Sequence, residues 1–226
     1  MSRFLLAFSF IAALTSGAAA QRFAQPPADA PVSSEVSITR LQAPNRAELR
    51  AKLAQHRKAN LARVRAYQAN GVFPSNTFTP GKLNVWIDGA GHLCAAATII
   101  NASGHADLVQ QVGATNNFIR LADVTDGELM DWILTSGFTQ SEIAAIQEPF
   151  IGVAPDDAGE PGRYVGVGPG RPMRVDPALR RTEDARLMAT YKRVDAMLVK
   201  QQRRSLDAAV DRLMEHPTLA WSFLNS

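Results

Sequence analysis

Asp88, His92, Cys94 and His105 fall within one short segment, "DGAGHLCAAATIINASGH", and Cys94 is the only cysteine of the chain. Together they could build a thiol-dependent active site. A thiol attacks as the thiolate, a neighbouring imidazole supplies the base or the positive field, and a carboxylate orients the imidazole. Residues two apart share a face in a strand, whereas in a helix they point roughly 200° apart. His92 can therefore reach Cys94 only if the segment is extended. A different use of Cys94 is suggested by the "AAATII" that follows it, which suits a small residue entering a packed interior. Free cysteine is among the most buried residue types. The leading expectation is a buried thiol delivered by the turn Asp88–Gly91, and the alternative is a nucleophile served by His92 or His105 with Asp88 as orienter.

Other chemistry finds less support. His92, Cys94, His105 and Asp88 match no metal-ligand spacing, so neither a metal nor another cofactor is expected. "GVGPGRP" at 166–172 lacks the GK[ST] ending of a phosphate loop, and Pro172 interrupts the helix that would bind phosphate. Neither G-x-S-x-G nor H-E-x-x-H occurs.

A second chemical signal is charge. Residues 45–70 form the clearest helix, with Asn45 and Glu48 spaced as a capping box and Gly71 as its stop. Leu49, Leu53, Leu61, Val64 and Tyr67 define its apolar stripe. Seven cations stand against the single Glu48, a local excess of +6. Arg46, Arg50, Arg57, Lys58, Arg63 and Arg65 are the candidates for contact with anionic lipid, acidic polysaccharide or an acidic partner. The plainer alternative is a solvated face above a core-packing stripe. The whole chain carries only +3, which does not point to nucleic acid.

These residues need elements to position them. Residues 1–20 read as a signal peptide: Arg3, an apolar run Phe4–Leu14, then Ala18-Ala19-Ala20 before Gln21. Cleavage is expected after Ala20, with delivery to the periplasm or outside the cell. Residues 21–44 read as a flexible tether. Residues 45–149 read as a helical domain. Within it, Leu83–Asp88 reads as a short strand, His92–Ile100 as helix rather than returning strand, and Ala102–Gly113 as a helix capped by Ser103. Asn116–Val124 reads as extended. Asp126–Gly137 and the segment from Thr139 form an αα-corner, with Thr139 and Glu142 as a second capping box. Its second helix has no Lys or Arg, which disfavours a DNA-binding role. Residues 150–177 are dense in Pro and Gly and read as a linker. Residues 178–216 read as one long helix ended by Pro217, able to pair with 45–70 or with a second copy of the chain.

The block Val85–Pro149 resembles a group of uncharacterised exported bacterial proteins. They share a D-x-x-G-x-x-C-A segment, an S-G…L-V segment and a W…S-G-[LF]-T…E…I-Q-x-P segment. The resemblance implies that Asp88, Gly91, Cys94, Ser103, Gly104, Trp132, Gly137 and Gln147 belong to one folded unit, and it implies no activity. The expected fold is mainly α: a small helical central unit with a short strand or hairpin, flanked by two long amphipathic helices. The expected role is binding or structural and non-enzymatic. A thiol enzyme and attachment to anionic envelope surfaces are the alternatives.

Overall fold

The computed structural model describes residues 43–79, 81–152 and 176–226. The expected signal peptide, the tether through residue 42 and residues 153–175 of the expected linker lie outside them. The described residues are mainly α-helical, with one two-stranded antiparallel sheet. No helix among them is long and apolar enough to cross a membrane.

Helix α1 spans Arg46–Asn70 and α6 spans Pro177–Met214. Asn45 starts α1: its side-chain oxygen accepts the Ala47 N–H at 2.9 Å, satisfying an otherwise orphaned donor. Asp176 does the same for α6 through Ala178 N–H, with Pro177 at the first helical position. The two helices form the most extensive helix pair of the fold. They run antiparallel, as three cross-links show: Arg46 to Asp211, Arg50 to Asp207 and Arg65 to Asp195, rising along α1 and falling along α6. Beneath these links, Leu49, Leu53 and Val64 of α1 and Leu187, Leu198 and Leu213 of α6 are buried. Tyr67, Phe73 and Tyr191 pack mutually, with ring centroids 5.4–5.6 Å apart, and close one end of the pair.

The central unit comprises α2 (Ala95–Ala102), α3 (Ala106–Thr115), α4 (Gly127–Thr135) and α5 (Gln140–Ile146). Strand β1 (Lys82–Leu83) pairs with β2 (Phe150–Ile151), and α7 (Pro217–Asn225) closes the chain. Several boundaries differ from the sequence reading. The strand expected over Leu83–Asp88 shrinks to β1 and an isolated Ile87–Leu93 bridge. The reason is Asn117, which takes over the backbone there: its carbonyl accepts from Trp86 N–H, and its side chain exchanges two hydrogen bonds with Ile87. Ser103 caps the end of α2 instead of starting α3. Residues 121–123 form a 3-10 turn in place of extended chain. Residues 150–151, expected in a linker, pair with β1 as a strand, and Glu183 of α6 holds the Ile151 N–H that points away from β1, accepting it at 2.9 Å. Pro217 ends α6 but also begins α7, since a first-turn proline costs a helix no hydrogen bond.

One correction concerns a candidate binding residue. Arg57 was expected on the basic surface of α1, yet it is only 2% exposed. Its position follows from spacing: Leu49, Leu53, Arg57, Asn60, Val64 and Tyr67 recur every three or four residues, all buried. The Arg57 guanidinium donates to both carboxylate oxygens of Glu142 at 2.7 and 2.8 Å. It also donates to the carbonyls of Gly137 and Leu198 at 3.0 and 2.7 Å. Ser205 of α6 donates a further bond to Glu142 at 2.7 Å. This network joins α1, α5 and α6 at the centre of the molecule.

Candidate functional site

Asp88 and His92 do come together. The Asp88 carboxylate is buried and gathers four hydrogen bonds: from Ser75 N–H, Ala90 N–H and His92 N–H, and with His92 Nδ1 at 3.0 Å. Three of these close the turn, whose corner Gly91 sits at φ +87°, a region open mainly to glycine. The bond to Ser75 staples the turn to the segment after α1. The His92 ring is 43% exposed, with its second nitrogen unoccupied by any described residue. An Asp-oriented imidazole of this kind is the arrangement a general base requires.

The group it was expected to serve lies elsewhere. Cys94 is 0% exposed and begins α2 as its cap, its sulfur accepting the Ala97 N–H at 3.4 Å. Cys94 N–H donates to Trp86 carbonyl at 2.9 Å, so the backbone is pinned on both sides of the thiol. Burial pushes the thiol up to about 12, far from the range where a thiolate forms at neutral pH. The neighbouring phenols of Tyr67 and Tyr191 are buried without a hydrogen-bond partner of good geometry, and burial raises both.

His105 is engaged in a separate contact. Its Nδ1 lies 3.2 Å from Ser103 Oγ, which also accepts Trp132 Nε1–H at 2.9 Å and donates to the Ile100 carbonyl at 2.7 Å. The Ser103 proton is thus committed to a carbonyl and not to the imidazole. The cluster latches the α2–α3 corner to α4.

The exposed side of His92 borders an open cleft of about 480 Å³ between α1 and the 91–102 segment, lined also by Arg63, Tyr67, Val72, Leu93 and Thr98. The Thr98 hydroxyl on its wall donates to the Leu93 carbonyl at 3.4 Å. No group of His, Cys, Asp and Glu able to hold a metal ion occurs among the described residues.

The remaining basic candidates of α1 are mostly occupied. Arg46, Arg50 and Arg65 pair with acids of α6, and Arg63 donates to Asn60 Oδ1 at 2.7 Å. Lys58 and Arg63 are the members of the set with no acidic partner among the described residues. The sequence reading also passed over His56, which meets Phe223 of α7 edge-on at 4.9 Å. Burial, then Lys52 and Arg63, hold its pKa below the ordinary imidazole value.

Comparison with protein-family models, with curated proteins and with solved structures finds no match to this chain.

Proposed function

We propose that the protein is an exported module with a non-catalytic binding or structural role. The observation that carries this is the complete burial of Cys94 at the start of α2, with its thiol raised to about 12. The other candidate groups act within the fold: Asp88 closes a turn, and His105 latches a helix corner through Ser103. An N-terminal signal peptide would place such a module in the periplasm or outside the cell.

Thiol labelling of the native protein tests it. Cys94 is expected to react with an aromatic disulfide reagent only as fast as the fold opens, and fully in denaturant. Rapid stoichiometric labelling of folded protein would support the thiol-enzyme alternative and overturn the proposal.

A further inference from the structure

Three cations of α1, Arg46, Arg50 and Arg65, are neutralised by acids of α6, while Lys52, Lys58 and Arg63 are not; α6 carries a basic surface of its own. Lys192, Arg193, Lys200, Arg203 and Arg204 are all exposed. None pairs with an acid among the described residues; Arg193 donates only to Thr190 Oγ1. At about 100° per residue they fall within a sector of roughly 120° of the helix surface, along about 18 Å of its axis. The one acid between them in sequence, Asp195, lies outside that sector and is bound to Arg65. Asp207 follows in the sector one turn beyond Arg203 and is bound to Arg50.

We propose that this outward face of α6, from Lys192 to Arg204, contacts the surface of an anionic lipid bilayer. Two features favour a bilayer over a soluble polyanion. The face is the outer surface of one helix, which a plane of headgroups can meet along its length. Val199, 48% exposed, stands at its border among the cations, where a short apolar chain can enter the headgroup layer. The contact deepens the non-catalytic reading of the protein and draws on export only for where the lipid is met. Its test is independent of thiol reactivity, so either can fail alone.

The experiment uses the protein recovered from the exported fraction and floats it with vesicles containing about one-third phosphatidylglycerol, or with pure phosphatidylcholine vesicles. Binding is expected to the anionic vesicles alone and to fall steeply between about 0.05 and 0.5 M salt. Lys200→Gln/Arg203→Gln/Arg204→Gln is expected to weaken it roughly fivefold per cation, on the order of 100-fold in all. Lys58→Gln/Arg63→Gln/Arg65→Gln removes the same net charge from α1, frees no acid within that sector (Asp195 lies outside it), and is expected to weaken it far less. Circular dichroism confirms that both variants fold. Equal losses in the two variants would reduce the effect to net charge and overturn the proposal. So would retention on immobilised heparin without binding to vesicles, or no binding at all.

Discussion

Arg57 is the residue whose removal should cost the fold most. Arg57→Met keeps much of the side-chain volume and deletes the guanidinium. Four hydrogen bonds disappear: two to Glu142, one to the Gly137 carbonyl and one to the Leu198 carbonyl. The Glu142 carboxylate, 2% exposed, is left buried with only uncharged donors: the Thr139 N–H and hydroxyl and the Ser205 hydroxyl. Breaking a buried pair from one side costs about 3–5 kcal/mol. A domain of this size has about 5–15 kcal/mol in total, so the variant should be marginal in urea titration. Removing both charges with Arg57→Met/Glu142→Gln should cost less than Arg57→Met alone, because no buried charge is then uncompensated. The pH dependence supplies an independent check. In the native protein burial pushes Glu142 upward, but bonds from Arg57, Thr139 and Ser205 outweigh it and leave the carboxyl below its ordinary value. Its contribution is present above the unfolded value of about 4.3 and is lost as pH falls through the folded one. Without Arg57 the burial dominates, the folded value rises, and stability should fall as pH rises through it. A loss under about 1 kcal/mol for Arg57→Met, or a double variant no better than the single, would refute the role assigned to the network.

Further outcomes are expected elsewhere. Gly137→Ala should cost about 2–5 kcal/mol in the same titration: φ is +81°, and a Cβ would lie 2.3 Å from the Leu53 carbonyl and 2.6 Å from Arg57 N, both backbone atoms of α1. Asp88→Asn should cost about 2 kcal/mol, since one amide oxygen cannot receive the donors that converge on two carboxylate oxygens. Cys94→Ser should stay within about 1 kcal/mol of the native protein, because serine caps a helix well, whereas Cys94→Val should lose the cap. His56 has a lowered folded value, so the unfolded chain binds its proton more readily; urea midpoints should fall as pH drops through about 6.5, and less so in His56→Gln.

What could be read from sequence was local. The capping signals at Asn45, Thr139 and Asp176 mark true helix starts, and the stripes of α1 and α6 mark their buried faces. What could not be read was long-range. Asn117 displaces a strand from thirty residues away, and Asp195, Asp207 and Asp211 neutralise arginines more than a hundred residues earlier. Arg57 lies between these cases. Its place in the stripe was visible four residues after Leu53, but its charge assigned it to the surface. A cation at a stripe position signals a buried acid, and Glu142, already marked by its capping box, was the acid available.

The block Val85–Pro149 acquires a specific meaning from the same contacts. Asp88 and Gly91 form a turn, Cys94 starts α2, and Ser103 holds Trp132 across the α2–α3 corner. Gly137 admits the α4–α5 joint against α1. Gln147 accepts from Leu121 N–H and donates to the Ile119 carbonyl, fixing the loop before α4. Each of these side chains or glycines satisfies backbone or permits close packing within the fold. A pattern made of such residues specifies a shape, and it can recur wherever that shape is kept, whatever the shape is used for. Activity or recognition therefore has to be sought at positions the pattern leaves free, where a side chain has no partner within its own fold. By that criterion the solvent-facing nitrogen of His92 and the unpaired cations of α6 are better places to look than the thiol at the pattern's centre.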